Sequence, residues 1–311
     1  MSSGIGSLTA TERLNFLVTN RIPRRLATRF MGWFSRIESP MLTRLSMFVW
    51  QLFADDLRLD EAQNTRFNSL QACFVRQLKQ GVRPLDRRDG VVISPCDAIV
   101  GACGPVHGTT VYQAKGFPYE LADLIPDAPL RETYRDGTFV TLRLKSSMYH
   151  RFHAPLDATL RQVIYISGDT WNVNPIALRR IERLFCKNER AVLELAGNDA
   201  QGSICLVAVA AILVASIKLH ALDDALDMNY GGPSAHCCQN PYQKGQEMGY
   251  FQHGSTILLF ASAGHTLHEG VRSGARINMG QALLIKPDSQ ASLPQPETLE
   301  KALEKTLEKL K

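Results

Sequence analysis

The chain has 311 residues, of which 45% are hydrophobic and 21% are charged, and its net charge is +5. This composition excludes disordered, collagen-like and fibrous proteins and predicts a globular protein with a sizeable core. Its seven cysteines form no CxxC pair and are odd in number, which favours free thiols in a reducing compartment over a disulfide framework.

The positive charge lies in the first part of the chain. Residues 1–50 contain seven arginines against two glutamates, so the rest of the chain is neutral overall. Apolar residues recur at three- and four-residue spacing, which predicts amphipathic helices over residues 8–60, interrupted at Pro23 and Pro40. Such basic helices suit the surface of an anionic membrane. The alternative is a helical layer on the protein's own core, with its arginines in water.

Neither a secretory signal nor a membrane-spanning helix is expected. Residues Met1–Ala10 lack a basic segment followed by an apolar core. The longest apolar run, Ile204–Ile217, has 14 residues, whereas a helix needs about 20 to cross a bilayer. Its valine and isoleucine content predicts one buried strand or two.

From residue 91 to about residue 292 the sequence consists of short apolar runs separated by Gly, Pro and Asp, which predicts strands. The predicted strands are Val91–Ser94, Phe139–Leu144, Gln162–Ile166, Ala191–Leu195, Ile204–Ile217, Thr256–Ala261 and Ala282–Ile285. A short helix is predicted at Leu178–Phe185. The last segment, Pro296–Lys311, has the leucine spacing of an amphipathic helical tail and is assigned no chemistry.

The expected fold class is therefore α+β. A β-rich, mainly antiparallel core carries an N-terminal layer of amphipathic helices and a C-terminal helical tail.

Four polar sites are candidates for chemistry. They are Asp97 in SPCDAIV, the histidines His150 and His153 in YHRFHAP, the segment KGQEMG at 244–249, and HGST at 253–256. In the last site, Gly254 and Ser255 stand directly before an apolar run. A turn would explain the glycine and a buried strand would explain the run, but neither requires this order of residues.

Residue types alone leave two chemistries open. Histidines three apart can bind a metal on a helix, but this stretch has the pattern of a strand leading to a turn at Pro155. The segment 236–238 (His-Cys-Cys) lies in a predicted loop without a recognised zinc spacing, so no metal is expected. Alternatively, Ser255, a histidine and Asp97 can form a nucleophile, a base and a carboxylate that orients the base.

Five segments resemble the bacterial phosphatidylserine decarboxylase family in order and separation. They are RPLDRRDGVVISPCDAIV, VYQAKGFPYELADLI, RDGTFVTLRLKSSMYHRFHAP, NERAVLEL and YQKGQEMGYFQHGSTILLF. The resemblance covers about residues 10–286, and the combination of YHRxHxP, KGxEMGxF and GST is specific. The chain departs from the family pattern at His253, at Ala98 and at Ser146–Met148, and no departure removes a proposed catalytic residue.

The resemblance implies a proenzyme that cuts its own backbone between Gly254 and Ser255. In the family, the serine attacks the preceding glycine's carbonyl, the peptide bond becomes an ester, and β-elimination releases the upstream chain. The dehydroalanine that remains hydrolyses, with loss of ammonia, to a pyruvoyl group, which is the covalent cofactor. By the same resemblance, His153 is the base of self-cleavage, Asp97 orients it, and His150 handles the proton in decarboxylation.

The implied activity is that of a carboxy-lyase in phospholipid biosynthesis. It converts phosphatidylserine to phosphatidylethanolamine and CO₂ through a Schiff base with the pyruvoyl group. The expected domains are a membrane-contact segment at 1–60, a catalytic domain at 61–292 cut into chains 1–254 and 255–311, and a tail at 293–311.

The expected partners are phosphatidylserine in an anionic membrane and, for each cleaved chain, the other chain. The resemblance also suggests a homodimer of that unit, and no nucleic acid is expected. The expected location is peripheral, on the cytoplasmic face of the cell membrane. The rival hypotheses are an unprocessed decarboxylase-like protein that only binds anionic lipid, and a metal-dependent enzyme that uses His150 and His153.

Overall fold

The computed structural model describes residues 23–52, 54, 57–111, 118–197, 202–213, 216–252 and 255–286. Three predictions therefore lie outside the described residues: helical structure before residue 23, the helical tail at 293–311, and the backbone conformation at His253 and Gly254. The domain boundaries at 60 and 292 remain predictions.

Two helices of 12 residues each form the N-terminal layer, as the apolar spacing predicts. Helix α1 spans Arg24–Ser35 and helix α2 spans Pro40–Gln51. The second begins with proline because the first helical position needs no backbone N–H donor. Its N-cap, Ser39, accepts a hydrogen bond at Oγ from the backbone N–H of Leu42 at 3.4 Å.

The remaining helices are short. They are a 3₁₀ turn at Leu59–Glu61 and the α-helices α3 (Leu70–Phe74), α4 (Leu121–Leu124), α5 (Ala128–Thr133), α6 (Pro175–Leu178) and α7 (Leu184–Lys187). The prediction of one helix at Leu178–Phe185 is wrong. Two helices flank residues 179–183, because Arg183 takes a left-handed conformation (φ 53°) and interrupts the helical hydrogen bonding.

Seventeen strands are described. They are β1 (Val91–Ile93), β2 (Ala98–Pro105), β3 (Thr110–Val111), β4 (Tyr119–Glu120), β5 (Thr138–Leu144), β6 (Arg151–His153), β7 (Ala158–Ile166), β8 (Arg190–Gly197), β9 (Ser203–Ala210), β10 (Ser216–Leu219), β11 (Leu226–Asp227), β12 (Ala235–Tyr242), β13 (Glu247–Phe251), β14 (Ser255–Ala261), β15 (Thr266–Leu267), β16 (Arg276–Ile277) and β17 (Ala282–Ile285). The run Ile204–Ile217 gives two strands, one of the two outcomes that its composition allowed.

The strands form four sheets, and every pairing between the named strands is antiparallel. The largest sheet has the order β12-β7-β8-β9-β14-β5-β2-β16, and a four-stranded sheet has the order β11-β10-β13-β6. Smaller sheets have the orders β1-β17-β15 and β3-β4. These sheets and the N-terminal helices confirm the α+β class.

The segment His236–Cys238 lies in strand β12, so the prediction of a loop there is wrong. This strand is at the edge of the large sheet and most of its side chains are exposed, so its residues lack the apolar alternation that marks a strand in a sequence. All seven cysteines are free thiols, as the sequence predicts.

Hydrophobic cores lie on both faces of the large sheet. One face packs against the four-stranded sheet, with Ile257 and Leu259 of β14 among its buried residues. The other face packs against the short helices, with Leu258 and Phe260 of the same strand. Because alternate residues of β14 enter different cores, all seven of its residues are buried.

The N-terminal helices make several polar contacts with this body. The Arg24 guanidinium pairs with Asp169 at 2.6 Å and lies 3.6 Å from the ring centroid of Trp171. The hydroxyl of Thr28 accepts a hydrogen bond from the Leu213 backbone N–H at 3.1 Å. Within the described residues, neither of these helices nor any other is long and apolar enough to span a membrane.

Candidate functional site

Ser255 is the first residue of β14, in the interior of the large sheet. It pairs with Leu144 of β5 on one side and with Ala210 of β9 on the other. It is fully buried, and its Oγ has no hydrogen-bond partner among the described residues. A buried hydroxyl without a partner costs roughly 1–3 kcal/mol of stability. Thr256 and Ser216 share this property, so the orphaned hydroxyl points to chemistry only together with the motif around Ser255.

The side chain of Ser255 lies on the face of the large sheet that packs against the four-stranded sheet. Directly opposite residues of an antiparallel pair point to the same face. Ser255 therefore shares a face with Leu144 and Ala210, which belong to the core against the four-stranded sheet. That sheet contains β6 and β13, the strands that hold the YHRFH and KGQEMG motifs.

His150 stands just before β6 and is fully buried. Its backbone carbonyl accepts a hydrogen bond from the N–H of Phe251 at 3.0 Å. Because Phe251 ends β13 four residues before Ser255, this bond ties His150 to the segment that contains the proposed cut. The imidazole meets the ring of Phe74 edge-on, with the centroids 5.9 Å apart and the planes at 72°.

His153 is held through both of its ring nitrogens. Its Nδ1 lies 3.0 Å from the carbonyl oxygen of Gly245, and its Nε2 lies 3.0 Å from the hydroxyl of Tyr149. A carbonyl can only accept, so the neutral ring carries its proton on Nδ1 and accepts at Nε2 from the tyrosine. Burial lowers the pKa of His153 below its ordinary value, which favours this neutral form.

The Gly245 carbonyl reaches His153 because this glycine has a left-handed backbone (φ +84°). A Cβ at this position would also collide with the side chain of Leu85. Both constraints explain why the turn before β13 uses a glycine at the position that orients the imidazole.

Asp97 is buried beside this histidine but binds other groups. Its carboxylate accepts bonds from Arg83 Nε at 3.0 Å and Arg83 Nη2 at 2.6 Å, and from the Met279 backbone N–H at 2.8 Å. The backbone N–H of His153 donates to the Pro95 carbonyl at 2.8 Å, so the two segments are adjacent. No hydrogen bond joins the Asp97 and His153 side chains, and the orienting bond expected from Asp97 comes from Gly245 instead.

Two cavities flank the site. One of about 970 Å³ lies between α1, α2 and the ends of β5 and β9, and its wall includes Leu144, the pairing partner of Ser255. A second of about 640 Å³ is lined by Arg83, Tyr149, His153 and Gly245. The large cavity has an apolar side made by the N-terminal helices and a polar side made by residues 143–147 and 172–174.

The metal hypothesis gains no support from this arrangement. Both nitrogens of His153 already have partners, so it offers no free lone pair to a metal. Within the described part of the chain, no group of three or more His, Cys, Asp or Glu side chains is placed to hold a metal ion.

The structure places Ser255 in the large sheet, His150 and His153 at β6 in the four-stranded sheet that packs against it, and Asp97 next to the segment of His153. The sequence pointed to the segments that contain Tyr149 and Gly245 without giving these two residues a role, and it did not identify Arg83. Each lies within a segment that carries the family resemblance, so its position was the only available signal.

Comparison with known proteins gives a consistent result. A model of the phosphatidylserine decarboxylase family matches residues 70–285. The chain is 34% identical over 273 residues to the phosphatidylserine decarboxylase proenzyme of Vibrio cholerae, covering 84% of this chain and 94% of that protein. It is 34% identical over 248 residues to the proenzyme of Photobacterium profundum, covering 76% and 84%. It is 32% identical over 273 residues to that of Aliivibrio salmonicida, covering 84% and 91%.

Proposed function

Because this chain belongs to the phosphatidylserine decarboxylase family, we propose that it is a proenzyme that cuts itself between Gly254 and Ser255. As a member of this family, the protein is a carboxy-lyase. Its proposed substrate is phosphatidylserine in an anionic membrane, and its proposed products are phosphatidylethanolamine and CO₂. The observation that carries the proposal is the buried, unpartnered hydroxyl of Ser255 at the start of β14.

Self-cleavage starts from that hydroxyl. Ser255 Oγ attacks the Gly254 carbonyl carbon, and the peptide C–N bond breaks to give an ester. Loss of the Ser255 α-proton then breaks the Cβ–Oγ bond and releases residues 1–254 with a C-terminal carboxylate. The dehydroalanine takes up water and loses ammonia, which leaves a pyruvoyl group at the start of 255–311.

His153 is the proposed base for the first step. Its neutral form, with the lone pair on Nε2, is the form that a base requires. Tyr149 donates to that nitrogen, so its hydroxyl must turn away or pass the proton on when the serine is deprotonated. The Gly245 carbonyl fixes the tautomer throughout.

Asp97 is proposed to assist through its charge rather than through a hydrogen bond. Its negative charge raises the pKa of His153, against the larger lowering by burial. This favours the imidazolium that forms when His153 takes the serine proton. Arg83 and the Met279 N–H hold the carboxylate in place. Since Met279 belongs to the smaller chain, the Asp97 contact also joins the two proposed chains after the cut.

A pyruvoyl group fits the position of Ser255. The group is small and uncharged, and the position is buried, central in the sheet and next to the wall of the 970 Å³ cavity. Such a group would supply a ketone to hold the substrate amine and an electron sink for the loss of CO₂. His150 is the proposed proton donor for turnover, since its backbone is bonded to the segment leading to Ser255.

The membrane contact is proposed for the outer faces of α1 and α2. Large apolar side chains are exposed on these helices or directly after them, namely Leu26, Phe30, Trp33, Met41, Leu45, Phe48, Val49 and Leu52. Leu45 and Val49 also line the 970 Å³ cavity. Exposed large apolar side chains in this number are typical of an interaction site. Exposed arginines stand among these residues, including Arg44, and would meet lipid phosphates. The proposed location is the cytoplasmic face of the membrane, with the protein attached peripherally.

The test combines two measurements on one preparation. Vesicles containing phosphatidylserine labelled in the carboxyl group are incubated with purified protein, and released CO₂ is counted. Denaturing electrophoresis of the same protein should show two chains, and CO₂ release should survive a strong chelator. A single full-length band that binds vesicles without releasing CO₂ would support the rival lipid-binding protein.

A further inference from the structure

The proposed catalytic His150 is the inner end of a column of three aromatic rings. Phe74 covers the imidazole edge-on at 5.9 Å, and Phe74 is itself only 5% exposed. Phe74 is the last residue of α3, a helix of five residues whose N-cap is Ser69. A helix this short has little stability of its own, so tertiary contacts must hold its last residue in position.

The outer ring of the column belongs to Trp50 of helix α2. Its ring centroid lies 4.4 Å from that of Phe74, with the planes at 31°. This side of α2 faces the protein, while Met41 and Phe48 of the same helix are exposed. One helix therefore presents a lipid-type surface outward and an aromatic contact to the site inward.

Trp50 and Phe74 also line the 970 Å³ cavity whose wall includes Leu144, the strand partner of Ser255. The column thus runs along this cavity and ends at the imidazole proposed to handle the proton in turnover. A movement of α2 relative to the sheet would shift Phe74, and because Phe74 packs on His150, the imidazole would lose its support.

We infer that Trp50 and Phe74 are positioning residues for His150, and that the docking of α2 sets the position of this imidazole through Phe74. The inference rests on the proposed function, because the role of His150 in turnover is itself a proposal. It adds that α2 completes the catalytic site as well as meeting the lipid surface. Turnover then depends on the position of α2 against the body, even for a substrate that is dissolved rather than held in a membrane.

The test compares Trp50→Leu, which keeps an apolar side chain but removes the ring, with Trp50→Phe, which restores a ring. The matched control is Trp171→Leu, which removes the tryptophan packed on Arg24 of helix α1. The substrate is a short-chain phosphatidylserine dispersed as monomers, so that binding to a lipid surface does not limit the rate.

The expected result is a loss in kcat with little change in KM. Trp50→Leu should lower kcat roughly ten- to hundredfold, since small misplacements of a catalytic group have effects of this size. Trp50→Phe should recover most of the rate, and Trp171→Leu should match the unmodified enzyme. A wild-type kcat for Trp50→Leu, or an equal loss in Trp171→Leu, would overturn the inference.

A second readout does not depend on activity. His150 is 0% exposed, so diethyl pyrocarbonate should modify it slowly, as peptide mass spectrometry can follow. Modification should become several-fold faster in Trp50→Leu and stay slow in Trp50→Phe and Trp171→Leu. Unchanged protection in Trp50→Leu would overturn the positioning role. If the unmodified protein neither cuts itself nor releases CO₂, the proposed function fails, whereas the protection experiment still decides whether the column holds His150.

Discussion

The end of the sheet at Ser255 and the two N-terminal helices are attached to the protein in opposite ways. Strand β14 is paired along its whole length with β5 and β9, and each of its residues is buried. Helices α1 and α2 dock through separate contacts such as the Arg24–Asp169 pair and the Trp50–Phe74 rings. They leave large apolar side chains in water.

The difference corresponds to the two tasks proposed for these regions. A backbone cut that each molecule makes once needs fixed atoms, and strand register in the middle of a sheet fixes them. Delivery of a lipid substrate needs exposed apolar surface, which would promote aggregation elsewhere on a soluble domain. Substitutions in the two regions should therefore differ in kind, and the following predictions test that difference.

The largest effect is expected for Ser255→Ala. Without the hydroxyl no ester can form, so the chain should stay uncut and release no CO₂. The matched control is Ser216→Ala, since Ser216 also begins a strand, is buried and has an unpartnered Oγ. Electrophoresis and CO₂ counting check both variants, and self-cleavage of Ser255→Ala would refute the nucleophile assignment.

His153→Gln should slow self-cleavage by roughly 10²–10⁴-fold, the usual contribution of a positioned base. Glutamine keeps hydrogen-bonding capacity but cannot take the serine proton. His236→Gln serves as the control, because His236 Nε2 likewise contacts a tyrosine hydroxyl, that of Tyr230 at 2.7 Å. The time course of cutting after cell-free synthesis measures the rate. Equal rates for the two variants would remove His153 from the role of base.

The pH profile of self-cleavage should follow the lowered pKa of His153. Burial lowers this pKa below the ordinary histidine value of 6.5, so the base is neutral throughout the neutral range. The rate should stay level as pH falls to that ordinary value and decline, about tenfold per pH unit, only below it. A decline that begins above the ordinary value would contradict the neutral, buried state of this imidazole.

Arg83→Met should destabilise the body of the protein. The Arg83 and Asp97 side chains are 6% and 3% exposed, so the change leaves a buried carboxylate without its partner. Such losses typically cost roughly 3–5 kcal/mol. The control is Arg88→Met, which breaks a pair whose arginine is 62% exposed and should have little effect. Urea unfolding in the uncut Ser255→Ala background measures both, and similar midpoints for the two variants would contradict the prediction.

The smallest effect is expected on the lipid-facing side. Arg44 and Arg66 are exposed and line a groove of about 440 Å³ next to Phe48. Replacing both by glutamine should weaken binding to anionic vesicles roughly tenfold at low salt. Cutting should proceed as in the unmodified protein. Arg161→Gln, an exposed arginine on β7, is the control in a vesicle sedimentation assay. Equal binding of all three proteins would place the membrane contact elsewhere.

The sequence predicts much of the difference between the strands around Ser255 and the N-terminal helices. Apolar spacing predicts the helices that appear as α1 and α2, and apolar runs predict strands such as β5 and β14, because each pattern reflects local periodicity. The edge strand β12 is missed because its exposed side chains carry no such pattern.

Contacts between distant residues could not be predicted. Arg83 and Asp97 are 14 positions apart, and nothing in their spacing signals a pair. The orienting bond to His153 comes from the carbonyl of Gly245, a main-chain group that every residue carries, so residue types pointed to Asp97 instead. Trp50, Phe74 and His150 are far apart in the sequence, and only the fold packs Trp50 on Phe74 and Phe74 on His150.

The most direct test of the account is the intact mass of the smaller chain from active protein. We predict a chain that spans residues 255–311 and is lighter, by one ammonia, than the same chain beginning with serine. Reduction with borohydride should add two hydrogens at its ketone. Full activity from an uncut chain, or from a smaller chain that still begins with unmodified serine, would contradict the account.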